Sequence, residues 1–202
     1  MIAVIDYGVG NLFSLRCSLD YLKQEAVVTA DPEVIRSADR VILPGVGAFG
    51  DAMRRLEDTG LVSLICEEAQ KKPLLGICLG MQLLFEKSCE YGEHKGLGLI
   101  KGEVCPLEPD LADKSLKVPQ MGWNALQLLR DDPLFRYIRS GEYVYYVHSY
   151  YAKNCAESTI GVSDYSIPVT GAVCRGKVYG TQFHPEKSGD TGLRILKAFC
   201  EL

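Results

Sequence analysis

Residues 74–82 read LLGICLGMQ, an apolar strand from Leu74 to Ile77 that passes almost without a loop into a helix expected from Leu79 to about Lys87. At the junction stands a cysteine in the pattern G-x-C-x-G, the thiol counterpart of the nucleophile elbow. The flanking glycines are needed sterically, because so tight a turn brings neighbouring backbone close while it lifts Cys78 above the sheet edge. The segment therefore predicts an α/β fold with a cysteine exposed at a strand end.

Two similar units precede it. The apolar run Ile2–Ile5 ends in turn residues, and leucines then recur at helical spacing from Leu12 to Leu22. A second run, Val41–Leu43, ends in Pro-Gly-Val-Gly and leads into helical material that extends to Ile65. Three successive βα units predict a parallel sheet covered by helices on both faces.

Beyond Tyr91 the apolar runs become shorter, with turn residues between them, and predict further strands, several of them antiparallel. These runs are Gly98–Val104, Trp123–Leu128, Glu142–Val147, Ser158–Val162, Val169–Cys174 and Val178–Phe183. The segment Pro106–Lys117 is predicted to be an exposed connection, and Thr191–Cys200 a final helix. No linker or repeat interrupts the pattern, so residues 1–202 are expected to form one domain.

Composition excludes several classes of protein. The 202 residues are 47% hydrophobic and 24% charged, which is ordinary for a globular chain. The net charge is −4 and no basic cluster occurs, which disfavours a nucleic-acid binder. Eight scattered cysteines, no C-x-x-C and only three histidines argue against a disulfide framework or a structural zinc site. Without a secretory segment or a membrane-length apolar run, a reducing, cytoplasmic location is expected.

A candidate base follows the run Val178–Phe183, in the sequence His184-Pro185-Glu186. In an extended backbone residues i and i+2 face the same side, so Glu186 is expected beside the imidazole of His184, with Pro185 holding the backbone extended. With Cys78, these residues form a Cys-His-acid arrangement at the edge where parallel strands end.

Each element has a plainer interpretation by itself. Cys78 could be a small buried residue in a glycine-bounded turn, and His-Pro-Glu a surface turn; their joint occurrence at strand ends favours catalysis. A zinc deaminase is dropped because P-C-x-x-C is absent, and a dinucleotide binder because Gly8-Val9-Gly10 lacks the third glycine of its motif. A catalytically silent binding module on the same fold stays as a rival from another functional class.

Residues 76–82, GICLGMQ, and 183–188, FHPEKS, resemble the class I (triad) glutamine amidotransferases. The resemblance implies a flavodoxin-like α/β fold, with a mostly parallel sheet and additional antiparallel strands, that hydrolyses glutamine to glutamate and ammonia. Three more motifs, PGVG at 44–47, PQMGWN at 119–124 and VHSY at 147–150, resemble the glutaminase subunits of imidazole glycerol phosphate synthases, which serve histidine biosynthesis. These motifs argue against a glutaminase that serves pyridoxal phosphate, purine or anthranilate synthesis.

The resemblance also implies roles for individual residues. Cys78 is the nucleophile, His184 the general base and acid, and Glu186 its orienting partner. The N–H groups of Leu79 and Gly47 are the oxyanion donors. Four positions hold the amino-acid end of glutamine: Gln82, His148, Ser149 and Tyr150. Four others face a partner: Asn11, Met121, Trp123 and Lys187.

Some of these residues have ordinary alternatives. His148 is equally well explained as a structural histidine, Trp123 as core packing and Lys187 as a solvated charge. The partner implied by the resemblance is a cyclase subunit with a (β/α)8 barrel, which forms a heterodimer with this chain and receives ammonia through an internal channel. No metal or organic cofactor is implied, because a thiolate and an oxyanion hole suffice for the chemistry.

Overall fold

A computed structural model describes residues 1–202. Six α-helices occur: α1 (Leu12–Tyr21), α2 (Pro32–Ser37), α3 (Phe49–Asp58), α4 (Val62–Lys71), α5 (Leu79–Leu83) and α6 (Gly189–Cys200). The thirteen strands are β1 (Ile2–Ile5), β2 (Ala26–Thr29), β3 (Arg40–Gly45), β4 (Leu74–Cys78), β5 (Phe85–Ser88), β6 (His94–Lys95), β7 (Ile100–Pro106), β8 (Gln120–Leu128), β9 (Glu142–His148), β10 (Tyr150–Lys153), β11 (Thr159–Asp164), β12 (Pro168–Arg175) and β13 (Val178–Thr181). None of the helices combines the length and the apolar character needed to cross a membrane.

The main sheet has nine strands in the order β2-β1-β3-β4-β13-β12-β11-β8-β9. Its first five strands are parallel, and the other four continue it in antiparallel pairs. A smaller sheet of four strands, β10-β7-β5-β6, packs beside it. The α/β class and the mixture of parallel and antiparallel strands predicted from the sequence are confirmed.

Alternate residues of the parallel strands bury on opposite faces of the sheet. Ala3 and Ile5 join a core with α3 and α4, whereas Ile2 and Val4 join a second core with α1 and α6. This alternation is the strand period of two residues, and the near-continuous apolar runs arise because both faces are covered. The strand ends are thereby held rigidly, and β4 and β13 carry the sequence motifs to the same sheet edge.

Several predicted boundaries were wrong. Helix α5 ends at Leu83, and Phe85–Ser88 is a strand because Phe85 pairs with Ile100 of β7 and both side chains are completely buried. The helical material before Ile65 is two helices, separated at Gly60, whose φ is +71°. The elements β2, α2, β6 and β10 were not predicted.

The connection Pro106–Lys117 is only partly exposed. Leu107 and Leu111 are buried in a small cluster with Tyr151 and Val169, and these contacts fix the segment against the sheets. Two prolines and mixed charges suggested exposure because the sequence does not show which side the leucines face.

Candidate active site

Cys78 ends the central strand β4 in a backbone conformation with φ 54° and ψ −112°, which an L-residue adopts only under strain. Such strain concentrates at functional sites, where the surrounding structure holds it in place. A Cβ atom on Gly76 would lie 2.6 Å from the carbonyl oxygen of Gly80, so the expected steric need for glycine is met.

The short helix after Cys78 changes one part of the sequence argument. The sequence predicted a helix of several turns whose dipole favours the thiolate, but α5 has only five residues. A macrodipole grows with the number of aligned peptides, so this contribution is smaller than expected. The positive charge beside Cys78 comes instead from a side chain of the neighbouring strand.

That side chain is His184, which follows β13, the parallel neighbour of β4. Its Nδ1 lies 2.8 Å from Oε1 of Glu186, and the two side chains are only 2% and 3% exposed. With Nδ1 held by the carboxylate, Nε2 is left for the thiol of Cys78. The pairing matches the prediction, but Pro185–Lys187 forms a 3₁₀ turn and not the extended backbone expected from the proline.

The groups around His184 favour its protonated form. Burial by itself lowers its pKa, but hydrogen bonds and charge interactions with Cys78 and Glu186 outweigh burial and raise the pKa to about 9. The site thus places an imidazole with a raised pKa next to the thiol of Cys78. Such a pair can attack a carbonyl carbon and then protonate a leaving group.

A cavity of about 330 Å³ opens beside Cys78 and His184. This is the lower end of the size range of small-molecule sites, which suits a ligand of amino-acid size. The structure brings to its wall most of the residues that the sequence singled out, namely Gly47, Leu79, Gln82, His148, Ser149, Tyr150 and Lys187. Gly47 has a φ of +100°, a conformation that favours glycine.

The amide of Gln82 and the imidazole of His148 converge on the carbonyl oxygen of Tyr150. Nε2 of Gln82 donates to this oxygen at 2.9 Å, and Nδ1 of His148 lies 2.9 Å from it. Since a carbonyl can only accept, Nδ1 carries the proton and Nε2 of His148 is an acceptor. That Nε2 is buried without a partner, and burial lowers the pKa of His148 to about 4. One nitrogen is thus structural and the other is free to accept a hydrogen bond.

Glu90 is a site residue that the sequence analysis missed. It is the only acidic side chain at the cavity wall, and its Oε2 accepts a hydrogen bond of 2.5 Å from the N–H of Phe49. Burial raises its pKa, although the bond from Phe49 opposes the effect. The wrong assignment of residues 85–87 to a helix concealed its position, because Glu90 lies just beyond β5.

Gln182 was also missed. It is completely buried, its Nε2 lies 3.8 Å from Sγ of Cys78, and its Oε1 accepts a hydrogen bond of 3.0 Å from Nε2 of Gln82. The sequence could have indicated Gln182 by its position two residues before His184, because residues at that spacing share a face of an extended segment.

The four residues assigned to a partner face lie near this end of the molecule. Met121 and Trp123 are 62% and 52% exposed on β8, which excludes core packing for Trp123. Lys187 reaches the cavity wall, and Asn11 caps α1 beside a narrow cleft that His184 and Glu186 also line.

The sequence model of the class-I glutamine amidotransferases matches residues 3–201. The chain belongs to this family. The imidazole glycerol phosphate synthase subunit HisH of Bacillus cereus is 52% identical over 200 residues, which cover 98% of this chain and 93% of the relative. The subunit HisH of Wolinella succinogenes is 48% identical over 204 residues and the full length of both chains.

Solved structures agree on the fold. A crystal structure described as a glutamine amidotransferase superposes with a TM-score of 0.76 at 17% identity and covers 100% of both chains. The PurLQS structure from Thermotoga maritima gives a TM-score of 0.73 at 19% identity, over 99% of this chain and 97% of the other.

Proposed function

We propose that this protein is the glutaminase subunit of an imidazole glycerol phosphate synthase, with residues 1–202 acting as one amidotransferase domain. It hydrolyses glutamine to glutamate and ammonia, and the ammonia is used by a cyclase subunit in histidine biosynthesis. The observation that carries the proposal is the buried His184–Glu186 pair at the strand end beside the strained Cys78. Identities of 52% and 48% to HisH subunits over almost the whole chain support the choice within the family.

In the first half of the reaction, the thiolate of Cys78 attacks the carboxamide carbon of glutamine, and the carbonyl oxygen becomes an oxyanion. The N–H groups of Leu79 and Gly47 hold this oxyanion. The imidazolium of His184 gives its proton to the nitrogen as the C–N bond breaks, which releases ammonia and leaves a γ-glutamyl thioester.

In the second half, neutral His184 takes a proton from water as the oxygen attacks the thioester carbon. The C–S bond breaks, glutamate leaves, and the thiolate and imidazolium are restored. Glu186 keeps the proton on Nδ1 and stabilises the imidazolium each time it forms. Loss of one oxyanion donor costs about 3 to 4 kcal/mol in other enzymes, so the conformation of the loop just beyond β3, which carries Gly47, controls the rate.

Charge complementarity suggests how glutamine is oriented. Its α-ammonium group pairs with the carboxylate of Glu90, the only acid at the cavity wall. The rest of its amino-acid end is held by Gln82 and by residues 148–150. Nε2 of His148, which has no partner within the protein, accepts a hydrogen bond from the bound substrate or from a bridging water.

The second subunit is a cyclase with a (β/α)8 barrel, and the two chains form a heterodimer in the cytoplasm. Ammonia passes to the cyclase through an internal channel. Met121, Trp123, Lys187 and Asn11 form the contact face, which lies next to the site where ammonia is released. Exposed aromatic and methionine side chains of this kind are enriched in protein interfaces.

Replacement of Cys78 tests the proposal most directly. In the complex, Cys78→Ala should abolish glutamate release from glutamine while synthesis from added ammonia continues. Cys17→Ser, at an exposed cysteine on α1, is the matched control and should keep both activities. Glutaminase activity retained by Cys78→Ala would refute the assignment of the nucleophile.

Chemical labelling adds a second test on the free chain. A glutamine-like electrophile should modify Cys78 and none of the other seven thiols, as read by peptide mass spectrometry. Modification spread over several cysteines would argue against a tuned site and in favour of a silent binding module.

A further inference from the structure

Three metal-ligating side chains meet outside the active site, on the smaller sheet. The thiols of Cys89 and Cys105 and the carboxylate of Glu103 have ligand atoms that all lie within 4.8 Å of one another. The pairing of β5 with β7 brings these three side chains together, since Ser88 is opposite Val104 and the N–H of Cys89 donates to the carbonyl of Val104 at 2.9 Å. Glu103 and Cys105 are two residues apart on β7 and so share a face.

Glu103 makes one ion pair, and it is a long one. The ammonium of Lys87 is 3.8 Å from Glu103 but 3.1 Å from Glu93, the closer of its two partners. The carboxylate of Glu103 therefore has no close ion pair within the protein and is available to a bound metal ion.

We propose that Cys89, Glu103 and Cys105 form a binding site for a divalent metal ion of zinc's class, with water as the fourth ligand. Thiolate and carboxylate are established zinc ligands, and tetrahedral geometry at Zn–S distances of about 2.3 Å requires ligand atoms about 3.5 to 4 Å apart. Small side-chain rotations bring atoms that already lie within 4.8 Å to this spacing. Binding releases the thiol protons to solvent.

Neighbouring groups suit such a site. Oε1 of Glu103 accepts a hydrogen bond of 2.7 Å from Nδ2 of Asn154, which orients the carboxylate. Cys89 is exposed and gives the ion a path of entry. Because Cys89 directly precedes Glu90, an ion here would join β5 to β7 immediately before the cavity wall.

Cobalt provides the optical probe. Reduced full-length protein titrated with Co²⁺ should show a thiolate charge-transfer band in the near ultraviolet, with tetrahedral d–d bands in the visible, saturating at one ion per chain. Cys89→Ser and Cys105→Ser should each abolish the thiolate band or halve it with a loss of affinity, and Glu103→Gln should weaken binding at least about tenfold. Cys17→Ser should bind like the wild type.

Two outcomes would overturn the metal site. One is the lack of a thiolate band at saturating Co²⁺; the other is an unchanged band in both cysteine variants. Cys89 is exposed, so its variant is expected to fold and keeps the test informative even if Cys105→Ser does not fold. Glutaminase assays have no part in this test, so its result is independent of the proposed function.

A separate observation concerns Gln182, and it rests on the proposed function. Its Nε2 is 3.8 Å from Sγ of Cys78, a distance at which an amide N–H donates to sulfur. The orientation of the amide is set because Oε1 accepts from Gln82, which itself donates to the carbonyl of Tyr150. The chain of bonds thus links the glutamine-binding residues to the sulfur.

We infer that Gln182 is a positioning residue that stabilises the thiolate of Cys78 and transmits the position of residue 150 to it. A neutral donor is required, because a carboxylate at this point would repel the thiolate. Gln182→Leu removes the donor, and Gln182→Glu keeps the shape and reverses the electrostatic effect.

The test is the pH dependence of alkylation of Cys78 by iodoacetamide, followed by peptide mass spectrometry on the free chain. The midpoint of the alkylation profile should move to higher pH in Gln182→Leu and still higher in Gln182→Glu. The alkylation rate of these variants at pH 7 should be lower than that of the wild type by about three- to tenfold. Thr181→Val, at the buried neighbouring residue, should leave the profile unchanged. Unchanged midpoints in both Gln182 variants would refute this role, whether or not Cys78 proves to be the nucleophile.

Discussion

The carbonyl oxygen of Leu43 lies only 1.8 Å from the point where a Cβ atom on Gly80 would stand. The contact joins β3 to the elbow and leaves no space for a methyl group, because both partners are backbone. Gly80→Ala should therefore push the elbow away from β3, lower the stability by about 1 to 3 kcal/mol and abolish glutamine hydrolysis. Urea unfolding and glutamate release measure the two effects.

Gly176→Ala is the control for Gly80→Ala. Gly176 has a φ of +61° with open space around its Cβ position, so this variant carries only the backbone cost, about 1 kcal/mol. Equal stability and activity of the two variants would mean that the contact with Leu43 is not restrictive.

The pKa of about 9 for His184 predicts how stability changes at alkaline pH. The folded pKa exceeds the unfolded value of about 6.5, so the folded state binds the proton more tightly. Its contribution is fully present below about pH 6.5 and is lost as the pH rises through about 9. Glu186→Gln removes one stabilising charge, so the His184 resonance should titrate at lower pH in NMR and the loss of stability should be smaller. An unshifted resonance would contradict the pairing.

His148 makes stability depend on pH in the opposite direction to His184. Its folded pKa of about 4 lies below the unfolded value, so unfolding takes up a proton between about pH 6.5 and 4 and stability falls over that window. The loss is up to about 3 kcal/mol at pH 4. His148→Gln should show a smaller decline between pH 7 and 4.5 in urea unfolding. A parallel decline in the variant and the wild type would assign the effect to carboxylates instead.

Glu90→Gln tests the charge at the cavity wall. The amide oxygen can still accept from the N–H of Phe49, but the charge that faces the substrate's ammonium group is gone. We expect KM for glutamine to rise about 10- to 100-fold with a smaller change in kcat. Glu86→Gln, at an exposed glutamate of β5 that accepts from the N–H of Gly102, should keep the wild-type KM. Equal KM values in both variants would exclude the role of Glu90.

Trp123→Ala tests the partner face. The side chain is 52% exposed, so the free chain should lose little stability, whereas affinity for the cyclase should fall by at least about 1 kcal/mol, or roughly fivefold. Leu129→Ser, at a residue 56% exposed just beyond the other end of β8, should bind normally. Calorimetric titration with the cyclase measures the affinity of both variants. An unchanged affinity in Trp123→Ala would show that Trp123 does not lie in the interface.

The local sequence pattern was sufficient to predict the elements that carry the candidate catalytic residues. The elbow around Cys78 and the His184–Glu186 pair could be predicted because glycine spacing, strand ends and residue order are properties of neighbouring residues. The strand Phe85–Ser88 could not, because its pairing with β7 depends on residues far along the chain. For the same reason Glu90 escaped notice, although it lies at the cavity wall.

By itself, the sequence determined the α/β order and singled out Cys78 and His184 as the candidate nucleophile and base. The tertiary structure decided which groups surround them. Hydrogen bonds and charge interactions with Cys78 and Glu186 outweigh burial and raise the pKa of His184, whereas burial lowers the pKa of His148. Strand pairing also places the thiols of Cys89 and Cys105 close together, although the two residues share no motif in the sequence. The physical reason is that charge state and ligand geometry depend on distances and solvent exclusion, which arise only when separate segments pack together.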